Sequence, residues 1–244
     1  MSGHRLVLVH GLVAGRRGGP GRDPQDARAR RAAAVVAHGD ALGVRAHAWH
    51  DGRRRVAANL VTRTARGTAQ APDAVEVTEF DEATVRAALA DPSGRARLGE
   101  MAGCENGGFD PARSFVLAGA PRRLVDGPDR GQRVLWFGTG SAHVGRAEFI
   151  EHYTHHHGPL VARHAHLLGL RRYVQVAQEQ PELCASLHGL GLGRAPAPAV
   201  FAELVVGRAP LDPTRWRARR AAAREIRRDE RQHIDFRRSM LLLA

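Results

Sequence analysis

Four histidines crowd positions 152 to 157 of this 244-residue chain, as His152, His155, His156 and His157. Imidazole changes its charge near neutral pH, so a histidine in a suitable pocket can accept or donate a proton during a reaction. His152 and His156 are four residues apart, a spacing that places two metal ligands on one helical face. No third ligand and no HExxH glutamate accompany them in sequence, and a solvated helix face is the alternative. We therefore predict no metal site.

The chain has 37 arginines and no lysine. This excludes Schiff-base chemistry, lysine-bound pyridoxal phosphate and a Walker lysine. A net charge of +12 can attract nucleic acid or an anionic substrate. The arginine clusters lack the interleaved aromatic residues of single-strand binders, so we predict no nucleic-acid partner.

The two cysteines, Cys104 and Cys184, have no CxxC spacing. Neither a disulfide framework nor a cysteine zinc site is therefore indicated, and a reducing cytoplasm suits the chain. The apolar start of the sequence is too short to span a bilayer and is typical of a first strand. We expect a cytoplasmic protein with no membrane segment.

An internal repeat relates the two halves at a nearly constant offset. The strand-like segment from Ala74 parallels the one from Ala199, 125 residues later. A Pro-, Gly- and Asp-rich stretch at 124–132 suits a linker, so we predict domains at 1–123 and 132–244. Further pairs at the offset of 125 are Glu100 with Glu225, Glu105 with Glu230, Asp110 with Asp235, Arg113 with Arg238 and Ser114 with Ser239, while Gly43 pairs with Gly169 at 126.

Each half has the predicted order strand, helix, strand, strand, helix, strand. In the second half, an apolar strand from Arg133 precedes a helix over 146–157, and Pro159 begins a further helical piece that Gly169 ends. Strands follow at 171–176 and 199–206, then an Arg-rich helix with Trp216 as its core anchor, and a last strand. This is the βαββαβ pattern. The predicted fold class is α+β, with two fused ferredoxin-like domains.

The segment from Arg146 to Leu160 resembles the signature helix of EthD domains, which combines E-F, an aromatic residue and H-G-P-L. The strand from Gly169 resembles the one that follows in that family, and Asp229–Asp235 resembles its acidic D-E-x-x-F-x-D segment. Tyr153 replaces the commoner Trp, and His233 stands where Phe is usual. The residues that match the signature are Glu148, Phe149, Tyr153, His157, Gly158, Pro159 and Leu160.

The first half keeps the order of elements but lacks H-G-P-L, so it resembles a degenerate copy. Proteins similar to EthD domains are usually dimers whose two sheets form an α+β barrel. The resemblance thus implies an intrachain α+β barrel here, in a monomer or homodimer with a small-molecule substrate. It also implies ether degradation, or dehydration or decarboxylation of aromatic polyketides, while the wider superfamily includes polyketide cyclases, cofactor-free monooxygenases and haem enzymes.

Within this resemblance, His157 is the predicted general acid or base, and Tyr153 is predicted to donate to a developing enolate oxygen. One of the carboxylates in the matching segment, Asp229, Glu230 or Asp235, is expected to orient the imidazole. Alternatively, His157 only caps the helix junction. The predicted substrate-binding residues are Trp136, Tyr173, Gln175, Glu203 and His233, although cross-strand pairing explains Tyr173 and Gln175 equally, and an edge position explains Glu203.

The leading interpretation is a cofactor-independent lyase or cyclase of secondary metabolism that acts by acid–base chemistry. One alternative is an oxygenase, either cofactor-free or with haem held by His157, His164 or His166. A second is an accessory protein that binds a ligand without turning it over. The Gly- and Pro-rich segments near Arg16 and Leu187 lack the order of a dinucleotide site, so we interpret them as flexible loops at a pocket mouth.

Overall fold

The computed structural model describes residues 4–14, 24–51, 69–102, 109–207 and 213–244. The chain divides into two compact units. Among the described residues, the first unit contains 4–14, 24–51, 72–102, 109–120 and 178–197. The second unit contains 69–71, 121–177, 198–207 and 213–244. Segment 178–197 therefore follows the middle of the second half in sequence but packs within the first unit.

The first unit is a four-stranded antiparallel sheet with helices on one face. In the described residues its strands have the order β2-β3-β1-β4, which is that of a ferredoxin-like fold. The elements are β1 (Arg5–Leu12), α1 (Pro24–His38), β2 (Val44–Asp51), β3 (Ala74–Asp81), α2 (Glu82–Ala90), α3 (Pro92–Ala102) and β4 (Phe115–Gly119).

The second unit repeats this strand order and adds one strand at the edge, giving β5-β7-β8-β6-β9. Its strands are β5 (Pro121–Val125), β6 (Gln132–Gly138), β7 (Leu170–Ala177), β8 (Val200–Val206) and β9 (Met240–Leu243). Its helical elements are α4 (Arg146–His152), a π-helical turn (Tyr153–His157), α5 (Gly158–Arg163), α6 (Ala165–Leu168), a 3-10 turn (Pro213–Arg215) and α8 (Trp216–His233), while α7 (Pro181–Gly189) belongs to the first unit.

Both units confirm the predicted α+β, ferredoxin-like class. The predicted linker at 124–132 overlaps β5, which pairs with β7 in the second sheet. The limits 1–123 and 132–244 stay a prediction, as does the intrachain α+β barrel, which concerns the arrangement of the two sheets.

The internal repeat is visible in matched turns before the last strand of each unit. Ser114 Oγ accepts the Val13 N–H at 3.0 Å and donates to the Asp110 carbonyl at 2.8 Å. In the second unit, Ser239 Oγ accepts the Thr139 N–H at 3.0 Å and donates to the Asp235 carbonyl at 2.8 Å. These matched contacts explain why the sequence retains both Asp and Ser at the offset of 125.

We expect Ser239→Ala to lower the free energy of unfolding by about 1–3 kcal/mol, because it leaves the Thr139 N–H beside a fully buried site without its acceptor. Urea denaturation measures this loss. The matched control is Ser186→Ala, whose exposed hydroxyl donates within α7 to the Glu182 carbonyl, and it should change stability by less than about 0.5 kcal/mol. Equal effects of the two substitutions would contradict the structural role of the turn.

Two local predictions are wrong. Trp216 is 51% exposed rather than a core anchor, because the buried residues of α8 are Ala222 and Ile226 and Trp216 lies about 80–120° around the helix from them at the 3.6-residue period. The segment around Leu187 is not simply a flexible loop, since it contains α7, whose Leu183 and Leu187 are buried in the core of the first unit. The segment near Arg16 lies outside the described residues.

The helices in the described part of the chain include none with both the length and the apolar character needed to cross a bilayer.

Candidate active site

The candidate site begins at an irregular turn in the helix that follows β6. Between α4 and α5, the backbone widens into the π-helical turn Tyr153–His157, and the Gly158 N–H donates to the Tyr153 carbonyl five residues back. Single π-helical turns are frequent at functional sites because they redirect side chains within a helix. Tyr153 and His157 are buried here, with 3% and 5% exposure.

Asp229 of α8 joins two of the clustered histidines. Its Oδ2 accepts from His157 Nδ1 at 2.7 Å, and its Oδ1 accepts from His152 Nε2 at 2.7 Å. Burial alone would raise the pKa of Asp229, but the two histidine bonds outweigh it and hold the pKa below its ordinary value. With Nδ1 of His157 bound to the carboxylate, Nε2 is the ring atom that can exchange a proton with a substrate.

His233, one turn beyond Asp229, holds this arrangement from the other side. Its Nδ1 lies 3.0 Å from the Asp229 carbonyl oxygen, and its ring stacks on that of His152 with centroids 3.5 Å apart. Burial lowers the pKa of His152 below its ordinary value, because Asp229 compensates only in part and His233 and His156 act in the same direction as burial. His233 therefore has a packing role against His152 and Asp229.

The carboxyl group of Glu230 is the second acid of the site. Burial raises the pKa of Glu230 above its ordinary value; nearby His157 opposes this shift and Asp229 reinforces it. Two adjacent carboxyl groups of α8 thus differ in character, because the histidines lower the pKa of Asp229 and burial raises the pKa of Glu230. Such separation of pKa values is typical of acid–base pairs in enzymes.

We expect Glu230→Gln to stabilise the fold at pH 8 by about 1 kcal/mol and to have little effect at pH 4. The folded-state pKa of Glu230 is raised, so the unfolded chain releases its proton first as pH rises, and stability falls between the two pKa values. Thermal unfolding at both pH values measures the difference. Glu151→Gln, at a side chain with 72% exposure, is the control and should show no such pH dependence. A pH-independent effect of Glu230→Gln would contradict the assignment.

The only two tyrosines of the chain meet on the same side of the sheet. The hydroxyls of Tyr153 and Tyr173 share a hydrogen bond, and the Tyr173 hydroxyl also accepts from Gln175 Nε2 at 2.6 Å. Burial is the main cause that raises the pKa of both tyrosines above the ordinary value. Gln175 Oε1 is buried and has no hydrogen-bond partner among the described residues.

The remaining predicted site residues are Trp136, Glu203 and Asp235. Trp136 is buried on the same sheet face as Tyr173, where its ring lies 5.7 Å from that of Phe236. Glu203 lies on the opposite face by strand alternation and forms an ion pair with Arg133, so the structure does not bring it to His157. Asp235 belongs to the turn before β9, where its Oδ1 accepts the Arg237 N–H at 3.0 Å. The carboxylate that orients His157 is Asp229.

One group of side chains has the composition of a metal site. Ligand atoms of His152, Asp229 and His233 all lie within 4.8 Å of one another. The sequence spacing had suggested His152 with His156, but His156 stacks beside His152 with ring centroids 5.4 Å apart. The candidate ligands that the spacing missed, Asp229 and His233, come from α8, and Asp229 is 77 residues beyond His152. His152 Nε2 already donates a hydrogen bond to the Asp229 carboxylate, so an ion that binds both groups would have to displace the proton on Nε2.

The model of the EthD domain matches residues 142–237, which contain the π-helical turn, the tyrosine pair and Asp229. Residues 142–237 are therefore similar to an EthD domain, and we call this segment the EthD domain. The resemblance noted in the helix and in the acidic segment is thereby confirmed, and the histidine–carboxylate pair lies inside the domain. The match includes α7, so one helix of the EthD sequence packs in the first unit.

Among solved structures, a candidate monooxygenase from Lactobacillus acidophilus NCFM is 8% identical, with a TM-score of 0.48, 98% of this chain covered and 92% of that chain. A mutant chlorite dismutase from Candidatus Nitrospira defluvii is 11% identical, with a TM-score of 0.48 and coverages of 100% and 91%. No curated protein matches the sequence. Similarity this low does not bear on the chemistry of the EthD domain.

Gly158 of the H-G-P-L signature is required by close packing. A Cβ atom there would lie 2.6 Å from Gln175 Oε1 and 2.7 Å from Leu124 Cδ1. We expect Gly158→Ala to push the Gln175 amide away from Tyr173 and to lower the free energy of unfolding by about 1–3 kcal/mol. Urea denaturation and the NMR signals of the two tyrosine rings report these effects.

The control for Gly158→Ala is Gly99→Ala in α3, where a Cβ atom would meet nothing within 4 Å. It should stabilise the helix by about 0.5–1 kcal/mol and leave the tyrosine signals unchanged. Wild-type tyrosine signals in Gly158→Ala would show that the glycine does not hold Gln175 in place.

Proposed function

We propose that the EthD domain catalyses proton transfer next to the carbonyl group of a small aromatic or polyketide-like substrate, in a cyclisation, dehydration or decarboxylation. The observation that carries the proposal is the 2.7 Å bond between His157 Nδ1 and Asp229 Oδ2 at a buried position. A carboxylate that fixes one imidazole nitrogen leaves the other as a base of defined direction.

In the proposed reaction, His157 Nε2 takes a proton from the carbon next to the carbonyl group, and the electron pair of that C–H bond moves towards the carbonyl oxygen. Asp229 stabilises the imidazolium that forms. Glu230 supplies a proton to the enolate oxygen, which suits a carboxyl group whose pKa is raised by burial. The Tyr173 hydroxyl, which accepts from Gln175 Nε2, is proposed to donate a hydrogen bond to the same oxygen.

The test is exchange of solvent deuterium into aryl ketones, followed by proton NMR with acetophenone, 2-hydroxyacetophenone and 1-tetralone. We expect the full chain to accelerate exchange at the carbon next to the carbonyl group, and His157→Ala to remove that acceleration. Exchange no faster than in buffer for every ketone, or full acceleration by His157→Ala, would sink the proposal. Binding of a ketone without exchange would favour the accessory ligand-binding alternative.

A haem-dependent oxidative enzyme is the second candidate, and one observation favours it. Axial histidine ligands commonly donate their second ring N–H to a carboxylate, as His157 does to Asp229. His157 would hold the iron through Nε2, and haem would supply oxidative chemistry there. His164 is less suited, because its Nε2 lies 2.9 Å from Glu225 Oε2. Haem added to the purified protein should give a Soret band that His157→Ala loses, if this candidate is right.

A further inference from the structure

A row of arginines runs along the exposed side of α8. Successive residues of a helix are about 100° apart, so the row lies within an arc of about 100°, on the opposite side of α8 from the buried Ala222 and Ile226. Every member is exposed, and the row extends about 21 Å along the helix axis. We call six side chains the arginine row: Arg217, Arg220, Arg224, Arg227, Arg228 and Arg231.

The acidic residues of α8 all lie outside this arc. Glu225 pairs with Arg163, Asp229 pairs with His157, and Glu230 is half-buried on the other side of the helix. The arc itself therefore contains six positive charges and no negative one. Among the described residues, no ion pair with a carboxylate is formed by Arg217, Arg224, Arg228 or Arg231.

The spacing of the arginine row makes its members repel one another. Like charges three or four residues apart destabilise a helix, and the row contains several such pairs, among them Arg220 with Arg224 and Arg224 with Arg228. A solvated helix face more often alternates positive and negative side chains. A ligand that brings several negative charges to the row would remove this repulsion.

The chemistry of the row favours phosphate groups. A guanidinium group presents a planar fork of N–H donors, which binds two oxygens of one phosphate at once. A row of about 21 Å is too long for one small anion, so the matching ligand is a polyanion. B-form DNA has one negative charge per about 1.7 Å of its axis, and its major groove, about 12 Å wide, admits an α-helix.

Other polyanions fit the row less well. An anionic bilayer retains a helix that can bury an apolar face, but the apolar face of α8 belongs to the core, and Trp216 is its only exposed large apolar side chain. Single-stranded nucleic acid is held by stacking on aromatic residues, which the row does not contain. Double-stranded RNA has a deep and narrow major groove that excludes a helix.

We propose that the arginine row of α8 binds the phosphate backbone of double-stranded DNA, without regard to base sequence. The predicted absence of a nucleic-acid partner rested on missing aromatic residues, which matter for single strands, whereas a duplex is positioned through its phosphates. The net charge of +12 adds a long-range attraction. This inference does not rest on the proton transfer proposed for the EthD domain, because His157 and Asp229 are not part of the row.

The test is fluorescence anisotropy of the full chain with labelled DNA duplexes of about 20 base pairs, in two unrelated sequences and over a range of KCl concentrations. We expect a Kd of about 1–100 µM at about 150 mM KCl, equal for both sequences. Six phosphate contacts should make log Kd rise with log [KCl] with a slope of about 5.

A triple variant removes half of the row. Arg217→Gln with Arg224→Gln and Arg228→Gln should lower the salt slope by about 2–3 and weaken duplex binding by at least about 100-fold at about 50 mM KCl. Its Tm should not fall, because the substitutions reduce repulsion within α8. Loss of binding would then not result from unfolding.

The matched control lowers the net charge by the same amount at exposed positions outside α8. Arg97→Gln with Arg113→Gln and Arg130→Gln should keep the salt slope within about 0.5 of the wild-type value. His157→Ala removes the proposed base and should bind the duplex as the wild-type chain does. Failure of the ketone chemistry and failure of DNA binding are thereby distinguished.

Equal losses in the two triple variants would show that net charge rather than the arginine row binds DNA, and would overturn the inference. Equal or tighter binding of phosphatidylserine vesicles, of single-stranded oligo(dT) or of an RNA duplex, each measured by competition, would also overturn it. If the triple variant fails to fold, Arg224→Gln and Arg228→Gln decide the question as single substitutions, since each should lower the salt slope by about 1.

Discussion

Asp229→Asn is expected to slow deuterium exchange into the responsive ketone by about 10²–10⁴-fold while keeping the shape of the side chain. The Asp229 carboxylate accepts from His157 and His152 at once. An asparagine has one acceptor oxygen and one NH₂ donor, so at least one of the two rings must change its tautomer or lose its bond. If His157 turns its N–H outward, the atom facing the substrate can no longer accept a proton.

The control is Asp235→Asn, which keeps an oxygen acceptor for the Arg237 N–H in the turn before β9. It should retain the wild-type exchange rate within about twofold, since it does not contact the histidines. The imidazole ¹⁵N spectrum of His157 provides a readout independent of turnover, and Asp229→Asn should alter its tautomer. Wild-type exchange in Asp229→Asn with an altered tautomer would mean that His157 does not act as the base.

Glu76→Gln is expected to lower the free energy of unfolding by about 3–5 kcal/mol, because it removes the negative charge that pairs with the buried Arg31 guanidinium. Burial pushes the pKa of Glu76 up, but the Arg31 charge and the His47 hydrogen bond together outweigh it and set the pKa below its ordinary value. The stabilisation from this carboxylate is therefore complete above the ordinary Glu pKa and is lost as pH falls through the folded-state value.

The double variant Arg31→Met with Glu76→Leu should recover most of the loss, since apolar replacement of a whole buried ion pair is often neutral or stabilising. Asp51→Asn is the surface control, because its pair with Arg28 is 54% and 64% exposed and should contribute less than about 1 kcal/mol. Urea denaturation at pH 7 measures all three. A loss for Glu76→Gln no greater than for Asp51→Asn would contradict the stabilising role of the Glu76 charge.

The fold could be predicted from the sequence because its determinants are local. Alternating strands, Pro159 at a helix start and Gly169 at a helix end each appear in the structure, and Gly169 has the positive φ of 71° that a helix-ending glycine adopts. Trp216 was misplaced because helix amphipathicity alone does not say which large residue faces outward. The π-helical turn has no signal of this kind, since one inserted residue leaves the composition of a helix unchanged.

The candidate site could be predicted only in part. The EthD resemblance pointed to His157, Tyr153 and Asp229 as candidate site residues. It could not say which of three nearby carboxyl groups contacts His157, because Asp229 lies on α8 and Asp235 lies in the turn that follows it. His152 was considered only as a metal ligand, and its bond to Asp229 joins residues 77 positions apart.

The buried ion pair between Arg31 and Glu76 was not predicted, although Arg31 corresponds to His157 at an offset of 126. The first half lacks the H-G-P-L signature, and a residue whose type differs from that of its counterpart gives no signal when the two halves are compared.

The duplicated turns, with their matched aspartates and serines, show that one gene encodes two copies of the same scaffold. In an assembly of identical chains, every mutation is duplicated, so a substitution that improves one pocket is imposed on the other. Covalent linkage removes that constraint, and each copy can evolve alone. A tandem arrangement therefore lets a single polypeptide carry a histidine–carboxylate pair in one copy and a buried guanidinium–carboxylate pair in the other.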